Sequence, residues 1–582
     1  MVGENPESGF SAWWAAVQNR REVRRALKSP PANGFVSQPE PRTIGLFARG
    51  RQMIAGNFLF GGHLVEAPGV RLWDITVPDP GFAEAAHGFA WLDDLAAVGD
   101  GAARAKAQDW TWAWIADFGQ GRRPGAPGWS PDLTGRRLIR WINHALLLLN
   151  GRERDDALAF YHSLSAQVHY LNRNWRKAAP GLPRFEALCG LIYAGFALIG
   201  MEDRVAPATE ALAAECEREI DAAGGIPTRN PEELLEVFTL LIWAAGALGE
   251  AGRPVPEAHL AAIERIAPTL RLLRHADGGL ARFHGGGRGL EGRLDQALAD
   301  SGVKPGLPDG LAMGFARLSH GRTSVIVDAS DPPSGAAGAV AHASTLAFEL
   351  TSGRRPLIVN CGSGQPFGQD WHRAGRATAS HSTLTLDGFS SSRFARGGRE
   401  VLEARAHVEG LDLAANADGA TLEARHNGWM GSHGLLHARR LSLSGDGRRL
   451  AGQDSLIAPD DPAIARLAAA IERSKSRGIG FAVRFHLHPE ADAALDLGGT
   501  AVSIGLRSGE IWVFRHDGAL DLSLEPSVYL EKGRLSPRAT KQIVLAGILR
   551  ENETRIGWTL AKAQDTPLAI RDLDRDDLPS PA

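Results

Sequence analysis

Hydrophobic and polar positions follow two different periods along this chain, and the change from one to the other divides it. From Phe82 to about His275 apolar residues recur at i, i+3, i+4 and i+7 in eight successive segments, among them AKAQDWTWAWIADFG and NPEELLEVFTLLIWAAGALG. Glycines close the periodic runs at Gly119, Gly151, Gly200, Gly224 and Gly278, where a helix ending in the left-handed conformation calls for them. So many helices with short connections predict αα-hairpins arranged as a ring or solenoid. From Met313 to about Ala561 the period is two, with DG, SG, GD and GG turns between runs such as TSVIVDA and TKQIVLAGIL. That pattern predicts an antiparallel β-sandwich. Short alternating stretches between Thr43 and Trp73 predict a few small strands ahead of the helices.

The expected architecture is multidomain α+β. An N-terminal arm with small strands covers residues 1–80, the helical ring 81–305 and the sandwich 306–565, and an acidic tail, 566–582, is expected to be disordered. Composition narrows the partners. The 582 residues are 44% hydrophobic and 23% charged, as in ordinary globular proteins, and the net charge of −3 excludes a polybasic surface for nucleic acid. Cys189, Cys216 and Cys361 lie far apart without CxxC spacing, so no disulfide framework is expected. No stretch approaches the ~20 apolar residues of a membrane span, and the first residues lack the pattern of an export signal. A cytoplasmic location is expected, with the periplasm or cell envelope as the alternative; nothing in the sequence marks an oligomeric state.

Three segments in the β region carry the chemistry. They read Val340-Ala-His342-Ala-Ser344-Thr-Leu-Ala-Phe-Glu-Leu350, then Leu357-Ile-Val-Asn360-Cys-Gly362, then Arg376-Ala-Thr378-Ala-Ser-His381-Ser-Thr-Leu-Thr-Leu-Asp387-Gly388. His342, Asn360 and His381 stand at predicted strand edges. The order and content of these segments, behind a helical region, resemble the heparinase II/III family of polysaccharide lyases, from about Pro78 to Gly547. The resemblance implies an (α/α) toroid followed by an antiparallel β-sandwich. It also implies cleavage of an anionic, uronic-acid-containing polysaccharide or oligosaccharide by β-elimination.

The same resemblance puts zinc ligands at His342, Asn360 and His381. An amide in place of the family's carboxylate removes the anionic donor, so zinc is expected to be weakly held or absent, and no other cofactor is expected. Val340 stands where the family has a catalytic histidine, Glu233 where it has a catalytic tyrosine, and Leu182-Pro183 where it has an Asn-His pair.

Elimination from a uronate needs its carboxylate neutralised, the adjacent proton removed and the leaving oxygen protonated. The planar fork of arginine suits the first task, which makes Arg229 and Arg376 candidates, with Arg184 for substrate binding. Imidazole suits the others, at His342 and His381, and Glu233 joins them as a catalytic candidate. Trp371 could stack on a sugar ring; Arg373 and His284, in loops, complete the substrate-binding set. Two rivals remain: a non-catalytic glycan-binding or envelope-assembly protein on the same fold, and a hydrolase using Glu233 with a second carboxylate.

Overall fold

In the computed structural model the described residues are 6–37, 41–121, 127–395, 400–518 and 520–566. The expected acidic tail, apart from its first residue, lies outside them. The chain divides into two compact units, and the division differs from the one expected at residue 305. One unit holds residues 1–222, 235–267 and 296–303; the other holds 223–234, 268–295 and 304–582. The two inserted segments join the second unit for a polar reason. Arg229 pairs with Asp328, Arg282 with Glu349, and Arg317 donates to the carbonyls of Leu272 and Arg274.

The first unit is helical, as its apolar period requires. Asp79 caps the helix Pro80–Gly88 by accepting from the Phe82 amide at 2.7 Å, and Phe89, at φ 59°, breaks what reads as one helix before Trp91–Val98 begins. The helices Pro131–Asn143 and Leu182–Ala197 cross where Gly135 and Gly190 meet back to back. A Cβ on Gly135 would lie 2.2 Å from the Glu186 carbonyl oxygen, so both positions exclude any side chain. Where only strands are expected, residues 47–54 form a helix, Phe47–Ile54, because Gly50 seats it against the backbone of Asp94. Strand β1 (Asn57–Phe60) and strand β2 (His63–Glu66) form the one hairpin among the described residues of that region.

Trp110, Trp114 and Trp141 fill this unit's core, with Arg137 wholly buried among them, 4.0 Å above the Trp114 ring. The guanidinium of Arg137 donates to Gln167 Oε1 and the His87 carbonyl, and burial lowers its pKa to about 9. His144, on the same helix face in the sequence, bonds Asp93 at 2.8 Å. Both are packing residues of this unit.

The second unit is a β-sandwich. Its strands are β3 (Phe315–His320), β4 (Thr323–Asp328), β5 (Phe348–Ser352), β6 (Arg355–Val359), β7 (Leu384–Leu386), β8 (Arg393–Phe394), β9 (Leu402–Ala404), β10 (Val408–Asn416) and β11 (Gly419–Trp429). They continue as β12 (Leu435–Ser444), β13 (Arg449–Ile457), β14 (Ile479–Leu487), β15 (Asp492–Asp496), β16 (Ala501–Gly505), β17 (Ile511–His516), β18 (Asp521–Tyr529), β19 (Arg538–Leu549) and β20 (Glu553–Gln564). One sheet has the order β18-β19-β14-β6-β5-β4-β3, with β7 added on β14, and the other β10-β11-β12-β13-β20-β17-β16-β15. The inward residues of the two sheets meet at Phe348 and Trp558, stacked 5.9 Å apart, and at Phe485, Phe514 and Trp512. Each such side chain contributes about 1.5–3 kcal/mol relative to leaving it in water. The three cysteines are buried and unpaired. No helix among the described residues is long and apolar enough to cross a membrane.

Candidate functional site

Arg229 ends a loop in the left-handed conformation, φ 49°, which costs a side-chain-bearing residue about 1–3 kcal/mol and persists only where surrounding bonds demand it. Those bonds are many. Nε donates to the Met313 carbonyl at 2.9 Å, Nη1 to the Asp331 carbonyl at 2.6 Å, and Nη2 to the Gly314 carbonyl at 3.0 Å and Asp328 Oδ1 at 2.6 Å. The guanidinium also lies 4.7 Å above the Phe315 ring. Asp328, at the end of β4 and fully buried, accepts from the Ser344 hydroxyl at 2.6 Å on its other oxygen. Arg229, His284 and Ser344 hold its carboxyl far below the usual range against the cost of burial.

His284, also left-handed at φ 47° and fully buried, carries the network toward the motif histidines. Its Nδ1 accepts from the His342 amide at 3.2 Å, which places the proton on Nε2, 3.4 Å from Asp328 Oδ2. The tautomers of the next two rings follow. His381 Nδ1 faces the Ala377 carbonyl at 2.8 Å and must donate; its Nε2 is then an acceptor. The His342 Nδ1 at 3.1 Å therefore donates to it, leaving the lone pair of His342 on Nε2, for which no partner occurs among the described residues. Burial depresses the His381 pKa to about 4 and takes that of His342 well below the usual imidazole value, with the Arg376 charge and the neighbouring rings disfavouring its protonation further. Both rings are neutral at pH 7.

Asn360 stands beside this chain of rings. Its Oδ1 accepts from the Ser382 amide at 2.9 Å and its carbonyl from Arg282 at 2.8 Å, while Nδ2 is buried without a partner among the described residues. The fit to zinc fails on the donor set. One imidazole lone pair, that of His342 Nε2, is free, since His381 uses both of its nitrogens; the third position presents an amide already engaged with Ser382, and no group of three His, Cys, Asp or Glu side chains among the described residues could hold a metal ion. A carboxylate is what the site lacks.

Arg376 is nearly fully buried and bonds three carbonyls, those of Ala341, Glu400 and Gly338, at 2.8–2.9 Å. It thereby fixes the loop that carries His342; burial lowers its pKa to about 10, so it stays charged. Glu233 is half-buried, in the first turn of the helix Pro231–Glu250, where its amide donates to Asn230 Oδ1 at 3.2 Å. Trp371 is half-buried and Arg373 exposed, on the short helix Gln369–Gly375 that leads to Arg376. Arg184 is not part of this cluster: it belongs to the helical unit, bonded to Glu215 and the Ala178 carbonyl.

Sequence reasoning passed over Asp328, Glu349, Arg282, Glu232 and Lys532. Glu349 accepts from the Arg282 amide and guanidinium, and Glu232 accepts from the Gly287 amide and pairs with Lys532. A signal existed for the first two. A carboxylate inside an apolar strand, as in SVIVD and LAFEL, requires a buried partner.

Comparison with known proteins agrees with this architecture. Residues 302–559 match the family model described as Heparinase II/III-like, C-terminal. The chain is 32% identical over 574 residues to FtsZ-localized protein C of Caulobacter vibrioides (strain NA1000 / CB15N), covering 95% of this chain and 94% of that one. Among solved structures, heparinase III superposes with a TM-score of 0.68 at 12% identity, covering 94% of this chain and 89% of that chain. Heparan sulfate lyase HepC from Pedobacter heparinus superposes at 0.55 and 14% identity, covering 96% and 89%. At those identities the solved structures speak for the fold alone.

Proposed function

Because the chain belongs to the heparinase II/III-like family, we propose that it keeps the polysaccharide-lyase fold as a scaffold without the elimination chemistry, and acts in envelope assembly together with FtsZ. One observation carries the first half. Every candidate for neutralising a uronate carboxylate within the β unit's cluster is engaged internally: Arg229 holds three carbonyls and Asp328, and Arg376 holds three carbonyls. To bind a substrate carboxylate, either guanidinium would have to abandon several buried bonds, each worth about 1.5–3 kcal/mol when charged. The histidines support the same reading, since His381 uses both nitrogens and stays neutral down to about pH 4. The second half rests on the near full-length match to a protein named for its localisation with FtsZ. A cytoplasmic location is part of this proposal.

Sedimentation of the purified protein with FtsZ polymers tests it. Co-pelleting that follows polymer mass is expected, and a protein that stays in the supernatant at every FtsZ concentration would contradict it. The opposing reading, a lyase acting on an anionic uronate polymer with His342 as base, draws on the unpartnered His342 Nε2. It requires an unsaturated product, which absorbs in the ultraviolet.

A further inference from the structure

Within the sandwich unit, apart from the histidine cluster, a surface groove of about 660 Å³ is lined by Phe389, Ser432, His433, Arg473, Arg477 and Ile548. Its composition is unusual for a wet surface. Phe389 and Ile548 are 41% and 58% exposed, and two exposed arginines stand beside them. Phe389 is held edge-on against His433, with ring centres 4.7 Å apart. The arginines belong to the end of the helix Asp461–Arg473 and the turn after it, RSKSRG, in which Lys475 and Ser476 both adopt φ 58°. Main-chain bonds from Ser474, Lys475 and Ser476 back to Ala470, Glu472 and Ile471 keep that turn wound, so the basic side chains are presented at the rim.

The charge balance is positive. Asp387 is the one acidic residue in the lining, against Arg473 and Arg477. Arg393 adds its charge at His433, whose imidazole pKa is lowered by burial, by Arg473 and by Arg393. A groove of this sign selects an anionic occupant. Its apolar half is an aliphatic and an edge-held aromatic side chain rather than an open flat ring, which suits an apolar side chain better than a sugar face.

We propose that this groove is a docking site for a short acidic peptide segment carrying an aliphatic or aromatic anchor, with Arg473 and Arg477 meeting its carboxylates and Phe389 and Ile548 its anchor. The inference uses no residue of the histidine cluster and stands whether or not the protein turns over a glycan. A random-peptide phage library selected on the full-length protein tests it. Sequences enriched in Asp and Glu around Leu, Ile or Phe are expected. A labelled peptide from that pool should lose about tenfold or more in affinity on R473E/R477E and, separately, on F389S/I548S. R555E, at an exposed arginine on β20, should leave affinity unchanged. Selected peptides without acidic bias, or affinity unaltered in both double variants that retain their melting transition, would overturn the proposal. So would heparin oligosaccharides binding the groove with no peptide enriched, or dimerisation of this chain abolished by R473E/R477E.

Discussion

The sandwich unit contains the same set of side chains twice, Arg with Asp and two or more His, and the two networks are finished differently. In the second, Asp454 accepts from His437 Nε2 at 2.7 Å, from Arg439 twice and from Trp558, while His437 accepts from His426 and His426 from the Gly428 amide. Arg439 also donates to the carbonyls of Leu346 and Ser382, tying the opposite sheet to β12. Each ring nitrogen there has a partner. In the first network, Arg229 and Asp328 are equally engaged, yet His284 Nε2, 3.4 Å from the Asp328 carboxylate, and Asn360 Nδ2 are buried without a hydrogen-bond partner among the described residues. A buried polar network built for stability closes all its bonds. The Asp454 network meets that standard; the His342 network does not, and its gaps lie at His284 and Asn360.

The larger losses are expected in the closed network. Asp454→Asn leaves Arg439 buried with two carbonyls and no counter-ion, and should cost about 3–5 kcal/mol of unfolding free energy by urea titration. A loss below 1 kcal/mol would mean that the closed network is not what joins the sheets. Acid gives the next largest effect. His381 titrates near 6.5 unfolded and about 4 folded, so the unfolded chain takes up the extra proton as pH falls between those values. Stability is fully present above 6.5 and decreases toward pH 4, of order 3 kcal/mol for this residue. His381→Gln should flatten that slope; an unchanged slope would assign it to other histidines.

Asp328→Asn should cost less, about 2 kcal/mol, because Arg229 keeps its carbonyl acceptors when the carboxylate goes. Equal losses at Asp328 and Asp454 would erase the distinction between the networks. The smallest change in stability, about 1 kcal/mol, is expected for Asn360→Asp, which places a carboxylate beside two imidazoles. Its readout is elemental analysis after dialysis against zinc: more metal retained by the variant than by the parent. Equal zinc in both would show that the amide is not what limits the site.

Much of this molecule is legible in its sequence where a local rule operates. The alternation at residues 345–350 and 356–359 marks β5 and β6, although β5 begins only at Phe348, and the run at 382–386 becomes β7, Leu384–Leu386, with His381 three residues ahead of it. The helical period locates the first unit but reads through Phe89 and His144, because neither residue type announces a break that tertiary packing imposes. The Phe47–Ile54 helix escapes for a related reason: its seat against Asp94 is a long-range contact. In the site, motif matching finds His342, Asn360 and His381, whereas the partners that decide their chemistry, Asp328, His284 and the carbonyls around Arg229, come from segments far apart in the chain. Position in a motif records ancestry; hydrogen bonds across the fold decide what an arginine is free to do.

Whether the protein eliminates across a uronate is read by incubating the full-length protein at high concentration with a panel of uronate polymers, including heparan and chondroitin sulfates, and following the ultraviolet absorbance of the unsaturated product. With Arg229 and Arg376 held by the backbone, no absorbance above a protein-free control is expected on any polymer. A product that accumulates with the parent and disappears with His342→Ala would contradict the account.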